Sequence, residues 1–459
     1  MERYDLIVLG SGPSGQKAAV QAAKLGKRVA VIEKRQVVGG ACINTGTIPS
    51  KTLREAILYL TGYGQHGIYG ASYSVKQHIG IDDLKVRVNH VIQREIDITL
   101  AQLRRNGVEV YYGEASLAGP NEVAVSGPTF QGTLACDFLV IAVGTRPAPP
   151  KGVACDDKVL FDSDGFIRMQ RIPRTATVVG AGIIGVEYAS MLAALGIEVT
   201  LLDKRDRILE FVDREIVESL TYQLRQRNMT IRLGEEVSSI HCENGRAVAE
   251  LASGKRVTSE MMLFSVGRLG NTERLNLSAA GISADDRGRI PVDGFFRTCV
   301  PHIYAVGDVI GFPSLASTSM MQGRLAAAHA FSQEPHPMPS VFPFGIYAIP
   351  EISMIGPTEE ELTRDAVPYE VGLSRYREIA RGQILGDDTG LLKLIFHRKT
   401  RKLLAAHAIG TGATELIHIA QAVVILGGTL NYFLDSVFNY PTLAECYQVA
   451  ALDCANKLA

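Results

Sequence analysis

The chain has 459 residues, a length typical of about three domains, and 46% of them are hydrophobic, which is enough for sizeable cores. The formal net charge of -1 gives no sign of a polyanionic partner, and no apolar run reaches the roughly 18 residues that a membrane-spanning helix needs. The seven cysteines are an odd number without disulfide-framework or metal-ligand spacing, which favours a reducing compartment. We therefore expect a cytoplasmic protein that binds neither nucleic acid, nor membrane, nor metal.

The chain begins with a strand, a glycine-rich turn, a helix and a second strand. Leu6 to Leu9 predicts a buried parallel strand, Gln16 to Leu25 a helix, and Arg28 to Ile32 the next strand. The turn carries three glycines: Gly10, Gly12 and Gly15. In a dinucleotide fingerprint the first makes the tight turn, the second lets pyrophosphate approach the backbone, and the third lets the helix pack on the strand. Glu33 then ends the second strand, where a carboxylate accepts hydrogen bonds from an adenosine ribose.

The same pattern returns later in the chain. Ala176 to Val179 predicts a strand, a helix runs to about Leu195, and Glu198 to Leu202 predicts a strand that ends at Asp203. The turn again carries three glycines: Gly180, Gly182 and Gly185. The first glycine and the terminal acid are 23 residues apart in both copies. Two copies predict two dinucleotide-binding domains, most simply one for a flavin and one for a nicotinamide nucleotide.

Three further apolar strands end in glycine turns. The strand from Asp137 leads into Gly144 and Thr145, the strand from Met262 into Gly267, and the strand from Ile303 into Gly307 and Asp308. The Pro-rich stretch 334–339 predicts a linker, and the chain beyond it has an α+β pattern without a dinucleotide motif. We expect four segments: 1–150 and 270–335 as two parts of one dinucleotide-binding domain, 151–269 as the other dinucleotide-binding domain, and 340–459 as a C-terminal domain.

The stretch 39–51 carries the most specific signal. It resembles the active-site segment of the two-dinucleotide flavoprotein disulfide reductases, the family of glutathione reductase and dihydrolipoamide dehydrogenase, which reads Gly-Gly-x-Cys-x-x-x-x-Cys-x-Pro-x-Lys. Here Gly40 and Cys42 match the family, but Thr47 stands at the second cysteine and Lys51 at the lysine. The resemblance covers the whole chain in order and implies two Rossmann-like domains plus an α+β dimerisation domain. One thiol does not form the internal disulfide of the reductases.

The resemblance implies roles for particular residues. The expected FAD contacts are those of the first cradle and of the turns that follow: Gly10, Gly12, Gly15, Glu33, Gly40, Cys42, Thr47, Lys51, Gly144, Thr145, Gly307 and Asp308. The expected NAD(P) contacts are Gly180, Gly182, Gly185, Asp203, Lys204, Arg205 and Gly267. Glu187 resembles the family's glutamate that pairs with the lysine. The alternatives are a solvated lysine at a helix start for Lys51 and a small buried hydrophobe for Cys42.

The C-terminal segment departs from the reductases in a second way. They carry His-Pro-x-x-x-Glu, with the histidine as acid-base for thiol chemistry, whereas this chain has Tyr440 at that position and Glu445 at the glutamate. A tyrosine, with a reference pKa of about 10, is a poor base at neutral pH. We therefore expect no disulfide turnover. In the family this segment reaches the flavin of the other subunit, which implies a homodimer with shared sites. An isologous interface allows this, because it places each C-terminal segment opposite the site of the other subunit.

Without disulfide turnover, the activity that we expect is hydride transfer between NADPH and NAD⁺ by way of FAD. We expect ping-pong kinetics, because one nucleotide site serves both nucleotides. The stretches 304–311, 314–317 and 438–445 resemble family members that carry out this exchange. Asp203 favours NAD(H), while Lys204, Arg205 and Arg207 favour a 2′-phosphate or are a solvated loop. Three alternatives stay open: a single-cysteine NAD(P)H oxidase or peroxidase that uses Cys42, a diaphorase with another acceptor, and a degenerate flavoprotein that serves as a binding module.

Overall fold

A computed structural model describes residues 1–70, 72–128, 130–150, 152–332 and 337–458. Two sheets built on parallel strands are followed by a C-terminal antiparallel sheet packed on helices. This confirms the predicted α/β fold with two Rossmann-like units and an α+β unit. In the described residues, no helix combines the length and the apolar character that a membrane crossing requires.

The first unit is built around a strand whose apolar residues lie between two neighbours. Its elements are β1 (Arg3–Leu9), α1 (Pro13–Lys24), β2 (Val29–Glu33), α2 (Gly40–Asn44), α3 (Thr47–Thr61), α4 (His66–Tyr69), α5 (Ile81–Arg105), β3 (Glu109–Tyr112), β4 (Glu114–Gly119), β5 (Glu122–Ser126), β6 (Gln131–Ile141) and β7 (Thr145–Pro147). Strands β3, β2, β1 and β6 are parallel, and β4 and β5 extend β6 as an antiparallel meander. Leu6 to Leu9 is fully buried, because both faces of a parallel sheet are covered.

The second unit repeats this plan. Its elements are β8 (Leu160–Asp162), β9 (Thr175–Val179), α6 (Ile183–Ala194), β10 (Glu198–Leu202), α7 (Arg214–Gln226), β11 (Thr230–Arg232), β12 (Val237–Glu243), β13 (Arg246–Leu251), β14 (Arg256–Ser259), β15 (Met261–Phe264) and β16 (Arg268–Gly270). Strands β11, β10, β9, β15 and β8 form a parallel sheet, and β12 to β14 form a separate antiparallel sheet. Strands β7 and β16 pair with each other where the chain enters and leaves the unit.

The first sheet receives its last strand after the second unit. That strand is β17 (Ile303–Ala305), and the helix α8 (Ala316–Ala330) follows it. Strand β17 pairs in parallel with β6, so the order β3-β2-β1-β6-β17 mirrors the order of the second sheet. Helix α8 packs closely along α1, since a Cβ at Gly323 would lie 2.0 Å from the Ser14 carbonyl oxygen.

The C-terminal unit is an antiparallel sheet packed with helices. Its elements are β18 (Phe344–Ile346), β19 (Ile352–Ile355), α9 (Glu359–Arg364), β20 (Tyr369–Arg375), α10 (Ala380–Leu385), β21 (Leu391–His397), β22 (Leu403–Ile409), α11 (Ala413–Ile425), α12 (Leu430–Asp435) and α13 (Glu445–Leu458). The strand order is β18-β19-β22-β21-β20. The predicted linker 334–339 lies in part outside the described residues.

Candidate active site

The first glycine turn forms an open cradle at the N-terminus of α1. Gly10 has a φ of +99°, and a Cβ there would lie 2.5 Å from the Ala142 carbonyl oxygen. A Cβ at Gly15 would lie 2.0 Å from the carbonyl oxygen of Gly10, so helix and strand require this glycine. Gly12, the residue before α1, has no atom within 4 Å of the position that a Cβ would take. A pyrophosphate fits this space, because the helix N-terminus offers free N–H groups and a positive dipole end.

The second glycine turn has the same geometry at the N-terminus of α6. Gly180 has a φ of +104°, and a Cβ there would lie 2.6 Å from the Ser265 carbonyl oxygen. A Cβ at Gly185 would lie 1.8 Å from the carbonyl oxygen of Gly180, whereas a Cβ at Gly182 would meet nothing within 4 Å. Gly267, which follows β15, has a φ of +135° and is likewise open on its Cβ side. Both cradles therefore leave room for phosphates at one glycine and close the backbone at the other two.

The carboxylate that ends β2 faces the first cradle. Glu33 is buried and accepts hydrogen bonds from the Ser11 backbone N–H at 3.0 Å and the Ser11 hydroxyl at 2.6 Å. Its other oxygen accepts the Arg35 backbone N–H at 2.9 Å. Backbone and hydroxyl donors thus fix this carboxylate at the place where the adenosine ribose of a dinucleotide is expected.

The corresponding acid of the second unit is held by an arginine. The Arg205 guanidinium donates to Asp203 through Nε at 2.9 Å and Nη2 at 2.7 Å, and the Ala181 backbone N–H also donates to this carboxylate. Burial opposes ionisation of Asp203, but the Arg205 side chain and the backbone donors outweigh it and lower the pKa of this carboxyl. The acid and one of the bases that were predicted to read the ribose thus contact each other directly.

The other two basic residues of this loop lie in different surroundings. Lys204 is exposed to solvent. Arg207 pairs with Glu360 of α9 at 3.3 Å and donates to the carbonyl oxygens of Glu210 and Val212. Arg207 therefore anchors the loop to the C-terminal unit, which makes a role in reading a 2′-phosphate less favourable than the sequence suggested.

The resembling active-site segment folds into α2 and the start of α3. Cys42 lies in α2, and Thr47, the first residue of α3, lies close enough to the thiol to affect its pKa. Thr47 thus occupies the place that a second sulfur would take in a disulfide. Burial raises the pKa of the Cys42 thiol, and the Thr47 contact offsets this effect only in part. A protonated thiol is a weak nucleophile, so the surroundings of Cys42 do not favour thiolate chemistry.

One ion pair joins the two units beside this segment. Lys51 Nζ donates to both carboxylate oxygens of Glu187, at 2.9 and 2.7 Å, although the residues are 136 positions apart. The Glu187 carboxylate is almost fully buried and also accepts the Tyr347 backbone N–H at 2.8 Å. The Tyr347 ring lies 4.9 Å from Lys51 Nζ. Sequence reasoning missed Tyr347, because a backbone donor leaves no signature in the residue type.

The turn after β17 forms a second polar group next to the first cradle. The Thr145 hydroxyl donates to Asp308 at 3.4 Å and accepts from Arg268 Nε at 2.8 Å. Burial raises the pKa of Asp308, against the effect of the nearby Arg268 cation. Gly307 has a φ of +80°, and a Cβ there would lie 2.6 Å from the Ser14 hydroxyl, so this turn closes directly on α1. Arg268 was not predicted, and its contacts link the two units.

The remaining glycines also lie near the first cradle. Gly40, at the start of α2, has a φ of +59°, and a Cβ there would lie 2.9 Å from the Cα of Gly12. Gly144, between β6 and β7, has a φ of +61° and an open Cβ side. The buried hydroxyl of Thr45 has no hydrogen-bond partner in the described chain. An open glycine cradle, a buried carboxyl and an unpartnered hydroxyl are surroundings that FAD fits.

The C-terminal residues do not join this group within one chain. Among the described residues, no hydrogen bond, ion pair or ring contact connects 438–445 with Cys42 or Lys51. Tyr440 is 74% exposed, and its neighbour Val437 is 98% exposed. Glu445 begins α13, and one of its carboxylate oxygens is buried without a hydrogen-bond partner. An exposed apolar face beside an unsatisfied carboxylate is typical of a surface that another chain covers.

Comparisons with known proteins place this architecture. Residues 4–323 match the family described as pyridine nucleotide-disulphide oxidoreductase, and residues 342–451 match the dimerisation domain of the same family. A protein of Mycobacterium tuberculosis named soluble pyridine nucleotide transhydrogenase is 52% identical over 100% of this chain and 98% of its own length. One of the same name from Colwellia psychrerythraea is 41% identical over 99% of this chain and 98% of its own length.

Solved structures agree with the sequence matches. The HOCl-induced flavoprotein disulfide reductase RclA from Escherichia coli superposes with a TM-score of 0.88 at 25% identity, over 98% of this chain and 99% of that chain. LpdA from Mycobacterium tuberculosis has a TM-score of 0.90 at 24% identity with the same coverage, which supports the fold alone. The chain belongs to the pyridine nucleotide-disulphide oxidoreductase family.

Proposed function

We propose that this protein transfers hydride between NADPH and NAD⁺ with FAD as its resident cofactor. The observation that carries the proposal is the convergence of two open dinucleotide cradles on a Lys51–Glu187 pair, beside a thiol that faces Thr47 instead of a second sulfur. The activity is the one that the names of the relatives from Mycobacterium tuberculosis and Colwellia psychrerythraea state.

The first cradle and the turns around it would hold FAD. Gly12 leaves room for the pyrophosphate, Glu33 meets the adenosine ribose, and Asp308 with Thr145 offers polar groups to the rest of the molecule. FAD, when bound, supplies a reversible hydride acceptor. The second cradle would serve both nucleotides in turn, which predicts ping-pong kinetics.

The Lys51–Glu187 pair would act by position and charge. Glu187 and the Tyr347 backbone N–H form a nearly buried contact that fixes the direction of the Lys51 ammonium group. A fixed cation at the meeting point of the two units stabilises negative charge that develops during hydride transfer. No thiol and no general base is required for this chemistry, which agrees with Thr47 and Tyr440 at the two positions where the reductases carry cysteine and histidine.

The single-cysteine oxidase or peroxidase is the less supported alternative. It requires Cys42 as a thiolate, whereas burial raises the pKa of this thiol. A binding module without redox activity would have no need for the part-buried Lys51–Glu187 pair between the two units. The two alternatives predict different outcomes when the reduced flavin is mixed with NAD⁺ or with peroxide.

Assembly completes the proposal. We assign 1–150 and 270–335 to FAD binding, 151–269 to NAD(P) binding and 340–459 to dimerisation, and we propose a homodimer in which Tyr440 and Glu445 complete the site of the other subunit. The exposed Val437 and Tyr440 and the unsatisfied Glu445 oxygen support this assignment. The seven cysteines, all free in the structure, support the predicted cytoplasmic location.

An anaerobic two-step experiment tests the activity. The FAD-loaded protein is reduced with one equivalent of NADPH, separated from NADP⁺ and mixed with NAD⁺. We expect rapid return of the oxidised flavin spectrum together with formation of an equal amount of NADH. The order is then reversed, with NADH as donor and NADP⁺ as acceptor.

Each other outcome points elsewhere. Reduction by NADPH with no reoxidation by NAD⁺ contradicts the proposal and favours a diaphorase. Reoxidation of the flavin by one equivalent of peroxide, which Cys42→Ser abolishes, supports the single-cysteine peroxidase instead. A flavin that neither nucleotide reduces supports the binding module.

A further inference from the structure

The loop between β10 and α7 carries an arginine with two acidic neighbours. Arg205 binds Asp203 through Nε and Nη2, while its third nitrogen, Nη1, lies 3.6 Å from a carboxylate oxygen of Glu210. Both the Arg205 and Glu210 side chains are part-exposed, at 36% and 48%. The guanidinium therefore lies between a nearly buried carboxylate and a solvated one.

The backbone of this loop is tied down on several sides. Gly234 donates to the Arg205 carbonyl oxygen at 2.8 Å, and Glu235 donates to that of Asp203 at 3.0 Å. At the far end, Asp213 forms a buried ion pair with Lys393 of β21 at 3.0 Å. Because the backbone is fixed, the side chains have to adjust when a different nucleotide binds at the end of β10. Among them, Arg205 is the side chain with two acidic partners.

The two nucleotides make opposite demands on this group. A ribose 2′-hydroxyl donates to Asp203, so NAD(H) requires Arg205 to release one or both oxygens of that carboxylate. A 2′-phosphate pairs with a guanidinium, so NADP(H) requires Arg205 to turn its nitrogens toward the ligand. In both cases the bidentate Asp203–Arg205 pair has to open.

We propose that Arg205 is shared between Asp203 and Glu210, and that Glu210 sets the balance between NAD(H) and NADP(H). Glu210 receives the guanidinium when the ribose of NAD(H) takes Asp203, and it competes with the 2′-phosphate of NADP(H) for the same cation. The loop thus accepts both nucleotides because each acidic residue offsets the preference of the other. This inference rests on the proposed function, since a shared arginine matters only where both nucleotides bind.

The test is Glu210→Gln in the FAD-loaded protein, with equilibrium binding by calorimetry as readout. The probes are 2′,5′-ADP, which carries the 2′-phosphate, and ADP, which does not. We expect the affinity ratio of 2′,5′-ADP to ADP to rise about three- to tenfold, because removal of the Glu210 charge frees Arg205 for the phosphate. In an Arg205→Ala background the same Glu210→Gln change should leave the ratio within about twofold.

Two controls separate sharing from net charge. Glu218→Gln removes an exposed carboxylate of α7 that pairs with Arg214, and Asp206→Asn removes an exposed one beside Arg205 in the loop. Both should leave the ratio within about twofold. A shift by Asp206→Asn as large as that by Glu210→Gln, or an effect of Glu210→Gln that persists without Arg205, overturns the proposal. The fragments bind without hydride transfer, so failure of NAD⁺ to reoxidise the flavin would contradict the proposed function without changing these ratios.

Discussion

The two dinucleotide cradles share a backbone and differ in the acid that faces them. Gly12 and Gly182 open the same space in front of α1 and α6. Glu33, however, is fixed by backbone and hydroxyl donors without a guanidinium, whereas Asp203 carries the Arg205 side chain on both oxygens. The first site offers one ligand a set of fixed contacts. In the second site the acid is held in an internal ion pair.

The two cradles also differ in the segments that border them. The first cradle is covered by the turn after β17, where Gly307 contacts Ser14 across almost 300 residues of chain. Asp308 belongs to the same turn, and its partner Thr145 begins β7. The second cradle is bordered by the loop at Arg205, which is part-exposed. We infer that the same backbone motif retains a cofactor in the first cradle and allows exchange of substrates in the second.

Filling one cradle at a time should give the largest effect. Gly12→Val places a side chain where phosphates fit, and we expect FAD affinity to fall about 100-fold or more, or about 2.7 kcal/mol. Gly182→Val should keep FAD and lower NAD(P)H affinity by a similar factor. Neither glycine has a positive φ, and a Cβ meets no atom within 4 Å, so both variants should fold. Flavin content and calorimetric titration measure the two losses.

Crossed results would break this comparison. Loss of flavin in Gly182→Val with flavin retained in Gly12→Val would exchange the roles of the two cradles. Equal loss of both ligands in both variants would indicate a folding defect, which circular dichroism and thermal unfolding of the two proteins detect.

Removal of the cation between the units should give the next largest effect. Lys51→Ala should slow flavin reduction by NADPH about 10- to 100-fold, or about 1.4 to 2.7 kcal/mol of transition-state stabilisation, with flavin content unchanged. Glu187→Gln should slow it less, and the double variant should be no slower than Lys51→Ala, because Glu187 acts through Lys51. Rapid-mixing absorbance under anaerobic conditions measures the rates. Lys76→Ala, which removes a lysine paired with Asp83 at the surface, is the matched control and should change the rate less than twofold.

Replacement of either acid by alanine should separate the roles of the two cradles further. Asp203→Ala should weaken the use of NADH about tenfold and leave the use of NADPH equal or better, because a carboxylate favours a free 2′-hydroxyl and repels a phosphate. Glu33→Ala should leave the NADPH to NADH ratio unchanged and instead speed the loss of FAD on dilution. Values of kcat/KM with each nucleotide and flavin release by gel filtration measure the effects. A change of nucleotide ratio in Glu33→Ala would contradict the division of roles.

The smallest effect is expected at the thiol. Cys42→Ser should keep at least about a third of the NADPH to NAD⁺ rate, since Thr47 stands where a second cysteine would be needed for a disulfide. Because burial raises the pKa of Cys42, the thiol should stay protonated at neutral pH and react slowly with iodoacetamide, and its reaction should accelerate only above the pH at which ordinary thiols ionise. A loss of rate near 1000-fold, about 4 kcal/mol, would show that the thiol is essential.

The sequence by itself predicted the two cradles, because glycine spacing and strand hydrophobicity are local properties. Strands expected at 6–9, 176–179 and 198–202 lie within Arg3–Leu9, Thr175–Val179 and Glu198–Leu202. The missing dithiol and the tyrosine in place of histidine were also visible, since both are residue types at fixed positions of a motif. Element ends moved by a few residues, because capping and sheet pairing decide them.

Only the tertiary structure decided which side chains meet. Whether Arg205 would pair with Asp203 or stay free, and whether Arg207 would face the nucleotide or Glu360, depends on side-chain directions in a loop packed against a distant helix. The contacts of Tyr347 and Arg268 cannot be predicted from residue type. Tyr347 donates its backbone N–H to Glu187, and Arg268 links the two units by donating to Thr145. Local patterns fix backbone turns because sterics and hydrogen bonding act over a few residues, whereas the partner of a charge depends on long-range packing.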